Sequence, residues 1–438
     1  MKLQVAKTRR EMMRIFFIVT GLLFCFAGNA VEPSSASVYD PATCGLRVGG
    51  DARANTVALQ RAIDAASRAG GGEVRIGPGV YECGSVWLKD NVDLHLGPGA
   101  VLKGTSDPSL YCASNCCPQN YASPREGDNT SGGHLLLAVG VKNVTVRGPG
   151  CIDGNSAAFL LDGKGVLIKQ RDIPFRPAQM VWFCDSTDIR LTDLELANAP
   201  YWSCFLLNCD RVQVRGCYVH TERRTFHTYN GDGIDVDRCR WVTISDCRID
   251  TADDCITLRA SGAKRLAEPH DCAYVTVMNC NLSSSCNAIR PGVGEGRIHD
   301  AVLGNLTISD TRNAFNIVSA YSRTSRGPDI TDIRFHDIRI EAHNFGRIHH
   351  LFSKDALFRN IVFDGLSGKT EDPFVPVYAH PNRPFEKLVF RNVDLACELE
   401  AVNADVRIEG GTVTRRPLSP DDVKRLNEDI VTGRRHFW

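Results

Sequence analysis

From residue 72 onward apolar and polar side chains alternate in short runs. Glu73-Val74-Arg75-Ile76 and Val92-Asp93-Leu94-His95-Leu96 come first, each closed by a Gly-Pro-Gly turn. A period of two turns every second side chain to the same face, so each run predicts a strand with one buried face. From about residue 140 a single phrase recurs: an alternating strand, then Asp, Asn or Gly, then a second short strand. It reads Asn143-Val144-Thr145-Val146, Asp188-Ile189-Arg190-Leu191, Arg211-Val212-Gln213-Val214, Trp241-Val242-Thr243-Ile244 and Tyr274-Val275-Thr276-Val277, and later Asp332-Ile333-Arg334-Phe335, Asn360-Ile361-Val362-Phe363 and Lys387-Leu388-Val389-Phe390. The intervals are irregular, from 23 to 33 residues over the clearest stretch. Upstream of the strands the period is different. Thr56 to Ala69 places Val57, Leu59, Ile63 and Ala66 at mixed three and four spacing and stops at Gly70-Gly71-Gly72, which predicts one amphipathic helix.

Short strands repeated without intervening helices predict a solenoid in which each coil buries its apolar face against its neighbours. An antiparallel sandwich would need a hairpin turn between each pair of strands. Tight turns occur at Asn230-Gly231 and Asp232-Gly233 but not throughout, and the phrase repeats in one direction instead of mirroring. The predicted fold is therefore all-β: a single-stranded right-handed parallel β-helix whose N-terminal helix caps one end of the stack. The helical stretch Asp421 to Ile430 is expected to close the other end.

Residues 1–30 carry Lys2, Lys7, Arg9, Arg10 and Arg14, then an apolar run from Ile15 to Gly28 and a small-residue end. That order predicts a secretory signal peptide, with a run too short to span a bilayer. The expected mature chain is one domain over 31–438, extracellular or periplasmic and away from the membrane. The whole chain is neutral and the mature chain carries −4, which offers nothing to nucleic acid. Seventeen cysteines remain after residue 30, an odd number in an exported chain, so at least one thiol is left over. Cys112, Cys116 and Cys117 lack the CxxC and histidine partners of a zinc site, and a loop disulfide is expected there.

Two fragments carry the chemistry: Asn230-Gly231-Asp232-Gly233-Ile234-Asp235, and Thr251-Ala252-Asp253-Asp254-Cys255-Ile256. Asp232 lies 21 and 22 residues before Asp253 and Asp254, about one coil, so all three should meet on one sheet surface. Carboxylates crowded in this way raise the pKa of at least one member. Glycoside hydrolysis needs that division, with a protonated acid for the leaving oxygen and an ionised carboxylate for water. Asp235 and Asp237 are read as structural. Calcium binding, as in a β-helix lyase, is the other chemistry open to such a cluster.

The chain resembles glycoside hydrolase family 28, the polygalacturonase-like enzymes of the pectin-lyase-like superfamily. The resemblance rests on Asp51 to Thr56, Gly70-Gly71-Gly72-Glu73-Val74, Arg176-Pro177, Asn198-Ala199-Pro200-Tyr201-Trp202 and the two aspartate fragments. It implies hydrolysis with inversion, Asp253 as general acid, Asp232 and Asp254 holding and deprotonating the water, and Asn230 orienting the cluster. Two motifs depart from the family. Cys286-Asn287-Ala288 stands where Gly-His-Gly is usual, and Asn316-Ile317-Val318 where Arg-Ile-Lys is usual, so the basic pair that engages a substrate carboxylate is missing. Either the substrate is neutral at that subsite or the cation comes from elsewhere, with Arg290, Arg259 and Arg323 as the candidates.

His227 and Tyr229, just before the first fragment, are expected at the sugar together with Asn230, Asn287, Arg290 and Asn316. Tyr201 and Trp202 would stack on sugar or pack under a loop. The reading is a secreted, monomeric inverting hydrolase of pectic or related polysaccharides that needs no metal or other cofactor. Its rivals are a β-helix lyase or epimerase and a non-catalytic carbohydrate-binding β-helix.

Overall fold

A computed structural model describes residues 37–120, 130–261, 263–319, 326–350 and 353–432. The predicted signal peptide and Arg323 lie outside the described residues.

The recurring phrase is the second of three parallel sheets that a coiling chain builds. Thr187–Thr192, Asp210–Arg215, Arg240–Ser245 and Cys272–Met278 stack in register, with Ile189 beside Val212, Val212 beside Val242 and Val242 beside Val275. Each coil continues into a third sheet (Glu195–Ala197, Tyr218–His220, Arg248–Thr251, Asn281–Ser284). It then crosses to a first sheet made of Val181–Cys184, Cys204–Leu207, Ile234–Asp237, Ile256–Ala260 and Asn287–Gly294. The later coils turn so tightly that Arg297–Val318 and Asp329–His349 run through the corners as continuous strands. The structure is a parallel β-helix.

The polar residues inside the phrase make the corners. The first coils turn from the second to the third sheet on Gly-Pro-Gly, and from Thr187 onward one residue at that corner is left-handed: Asp193, Gly216, Asp246, Asn279, Asn305, Asp337, Gly365 and Asn392 all have φ between 48° and 67°. Asp, Asn and Gly occupy that region at little steric cost, and a single such residue bends the chain without breaking the ladder. Inside the coil the apolar positions stack like on like. Phe335 and Phe363 lie 4.9 Å apart and nearly parallel, and Phe363 and Phe390 5.0 Å. Burying each such ring contributes on the order of 2 kcal/mol.

Cys209, Cys239 and Cys272 stack in one interior row and Cys217, Cys247 and Cys280 in another, all buried as thiols. Among the described residues every cysteine is free, including Cys112, Cys116 and Cys117, where a disulfide was expected. Those three pack against the apolar cluster of Trp182, Trp202 and Phe205, and burial pushes the Cys112 thiol up to about 11.

The N-terminal helix is Ala52–Arg68, four residues earlier than its apolar pattern indicates, because the Asp51 carboxylate accepts from Ala54 N at 2.8 Å and starts it. Ala58, Leu59, Ile63 and Ala66 join the same core as Val74 and Leu94, while Val57 faces solvent. The C-terminal helix Pro420–Thr432 does not lie across the far end of the stack. Leu426 and Ile430 pack on Tyr378 and Val402, which alternate with the interior Val377 and Leu399 and so sit on the outer face of the first sheet.

Candidate active site

The outer face of the first sheet carries the aspartates. Ile234 pairs with Ile256, so Asp232 and Asp254, each two residues upstream, sit side by side in adjacent coils. The approach is tight: Gly233 N donates to Asp254 O at 2.8 Å, and a Cβ on Gly233 would lie 2.5 Å from Cys255 O. Only glycine fits between the two motifs. The Asp253 backbone is tied down on three sides. Its N donates to Gly231 O, and its carbonyl accepts from Thr251 Oγ1 at 2.7 Å and Ser284 Oγ at 2.6 Å. These bonds leave the side chain of Asp253 partly exposed, while Asp232 and Asp254 are buried.

The same face carries more charge than the sequence indicates. Asp235 and Asp237, read as structural, are fully buried beside the trio and held by Arg259, whose Nη1 is 3.3 Å from Asp235 Oδ1 and whose Nε is 3.4 Å from Asp237 Oδ2. Arg290 Nη1 pairs with Asp254 Oδ2 at 2.8 Å. Five carboxylates thus share two guanidinium groups. Burial, then the neighbouring Asp253, raises Asp232 well above the usual carboxylate range. Burial and Asp254 raise Asp253 to about 7, with Arg290 opposing, and burial raises Asp235 to about 6.

The other expected contacts divide. Asn287 is buried and donates from Nδ2 to Asp254 Oδ1. Asn230 turns away from the carboxylates, its Oδ1 accepting from Gln170 Nε2 at 2.9 Å and Arg176 Nη1 at 3.4 Å, so it braces the loop instead of the cluster. His227 is exposed and Tyr229 half-buried on that loop, their rings 5.9 Å apart, at the rim. Tyr201 and Trp202 are buried, stacked at 4.7 Å, with the Arg259 guanidinium 4.4 Å over the Trp202 ring, so they pack under the site.

Asn316, in the place of the missing arginine, is buried with its Oδ1 unbonded. It pairs with Arg347 of the next coil. Burial, then the charge of Arg312, lowers the Arg347 pKa, with Cys286 opposing and Arg290 adding to the effect. Sequence reasoning missed Arg347. Its signal is Arg347-Ile348-His349, a basic-apolar-basic triplet one coil after Asn316-Ile317-Val318.

Oxygen and sulfur atoms of Asp253, Asp254 and Cys286 come within 4.8 Å of one another and could hold a cation. With no cation bound, burial pushes the Cys286 thiol far above its usual range, so a cation there would have to displace its proton.

Comparison with known proteins agrees with this architecture. The family model described as glycosyl hydrolases family 28 matches residues 122–348. A probable polygalacturonase of Vitis vinifera is 27% identical over 217 residues, 49% of this chain and 42% of that protein. An exo-poly-alpha-D-galacturonosidase of Dickeya chrysanthemi is 24% identical over 248 residues, 47% of this chain and 39% of that protein. Each match therefore spans less than half of the relative's own length. The structure of a Yersinia enterocolitica family 28 exopolygalacturonase superposes with a TM-score of 0.66 at 19% identity, covering 88% of this chain and 76% of that one, a likeness of fold.

Proposed function

The chain belongs to family 28 of the glycosyl hydrolases, and on that membership and the arrangement of its carboxylates we propose that it hydrolyses glycosidic bonds of pectic polysaccharides with inversion, as an exported domain spanning residues 31–438. The observation that carries the reading is the unequal environment of two adjacent acids. Asp253 is partly exposed and raised to about 7, so it holds a proton to give to the leaving oxygen near neutral pH. Asp254 is buried in an ion pair with Arg290 and is the carboxylate that takes the proton of the attacking water, with Asp232 beside it.

A uronate substrate brings a carboxylate that needs a cation in the cleft. Arg259 pairs with Asp235 and Asp237 and Arg290 with Asp254, and the cation we assign to the substrate carboxylate is Arg347, which lies beside Asn316 in the next coil. The cation is thus supplied one coil later than the sequence motif would place it.

The test is reducing-sugar release by the purified protein from polygalacturonate, rhamnogalacturonan and neutral glycans, with and without a chelator, and with the anomeric form of the first product followed by proton NMR. Chelator-insensitive release of the inverted anomer from an anionic pectic chain is the expected result. An unsaturated product would establish a lyase instead, and release that stops on chelation would establish that the site needs a cation.

A further inference from the structure

Four side chains in consecutive coils form a one-way chain of hydrogen bonds that ends on Asp254. Asn344 Nδ2 donates to Asn313 Oδ1 at 3.0 Å, Asn313 Nδ2 donates to Asn287 Oδ1 at 2.9 Å, and Asn287 Nδ2 donates to Asp254 Oδ1. The register builds the row, pairing Asn287 with Asn313 and Asn313 with Asn344. Asn287 and Asn313 are 2% and 4% exposed, so water does not substitute for a missing partner.

The direction of the chain follows from the charge at one end. A carboxylate in an ion pair only accepts hydrogen bonds, so Asn287 must turn its NH2 group to Asp254. Its carbonyl then faces the next coil and needs a donor, which fixes the orientation of Asn313 and, by the same step, of Asn344. A side-chain amide alone rotates easily between two orientations, only one of which donates to Asp254. The ladder removes that freedom. The other Asp254 oxygen is fixed by Arg290, so the ladder and the ion pair together hold the plane of the carboxylate.

We propose that Asn313, backed by Asn344, is a positioning residue for the reaction: it fixes the amide of Asn287 and, through it, the orientation of Asp254, from two coils away. The kinetic part of this assignment rests on the hydrolytic function proposed above. No part of it requires Asn313 or Asn344 to touch substrate.

The experiment compares Asn313→Leu, which keeps the size of the side chain and removes the donor, with Asn313→Ser, which keeps a hydroxyl donor. Asn313→Leu lowers kcat about tenfold or more with KM little changed, and Asn313→Ser retains most of the activity. A second measurement does not depend on turnover. The carboxyl carbons of 13C-labelled aspartates are titrated by NMR in both variants and assigned by the signal lost in Asp254→Asn. Asn313→Leu shifts the aspartate titration and Asn313→Ser leaves it in place. A shifted titration in a protein that cleaves no glycan would sustain the ladder and overturn the hydrolase. Wild-type kcat and an unmoved titration in Asn313→Leu would overturn the ladder and leave the hydrolase standing. Should Asn313→Leu fail to fold, Asn344→Leu carries the same comparison: a severalfold fall in kcat supports the ladder, and no change in kcat or titration overturns it.

Discussion

Replacing Asp253 by Asn removes the proposed proton donor and, by the same act, relieves a strain that the folded protein carries at neutral pH. Asp253 has its carboxyl raised from 3.8 to about 7, chiefly by burial and then by Asp254. The folded state therefore binds the proton more tightly than the unfolded state does, so stability is full below the unfolded pKa and is lost as pH rises from 3.8 towards 7. A shift of about three units corresponds to about 4 kcal/mol once both states are ionised. Asparagine has the same shape and never ionises. At pH 8 the Asp253→Asn protein should be more stable than the unsubstituted one by up to about 4 kcal/mol, and at pH 4 by well under 1 kcal/mol. Urea unfolding of both proteins at the two pH values measures the difference of differences, to which relief of Asp232, whose carboxyl Asp253 helps to raise, adds in the same direction. Hydrolysis should meanwhile fall by about a hundredfold or more, the usual contribution of a positioned general acid. A stability difference that is the same at pH 4 and pH 8 would refute the raised carboxyl, and undiminished hydrolysis would refute its role.

Two further outcomes follow from the same geometry. kcat/KM of the unsubstituted protein should decline as pH rises through about 7, because the acid that must be protonated loses its proton there, and a rate profile still rising at pH 8 would contradict this. Arg347→Gln should raise KM for an anionic pectic chain about tenfold, the worth of one charge-assisted hydrogen bond, and leave cleavage of a neutral oligosaccharide unchanged if one is a substrate. Equal loss on both would move the cation's role from the substrate to the fold.

The sequence exposed some parts of this molecule and concealed others for identifiable reasons. Every fragment of the recurring phrase belongs to the second sheet, whose outer face is polar, so Val212 and Gln213 or Val242 and Thr243 show a clear alternation. Much of the first sheet is buried on both faces. Val181–Cys184 and Cys204–Leu207 are apolar throughout and give no period to read, although this is the sheet that bears the site. The aspartate trio was legible because two short motifs one coil apart must stack. Arg347 was not, because its place depends on counting coils whose length changes from one turn to the next. Asn230 shows the limit of motif reading: its position beside Asp232 is right, while its Oδ1 serves Gln170 and Arg176. Odd cysteine parity pointed to a spare thiol, but nothing in the spacing revealed that the interior cysteines would pile up along the stack as small apolar fillers.

The one-residue corners have a consequence for how such a protein can change. From Thr187 onward one left-handed Asp, Asn or Gly completes the turn between the second and third sheets, so that edge tolerates little variation, and the long excursions emerge at the edges of the first sheet. The segments 221–231 and 263–271 belong to two such excursions, and both border the face that holds the carboxylates. Each coil touches only its neighbours, so lengthening one excursion redraws the wall of the cleft without disturbing the packing inside. Inheritance of the interior and drift of the rim are thereby uncoupled: the scaffold and its carboxylates can persist while the glycan they face is exchanged.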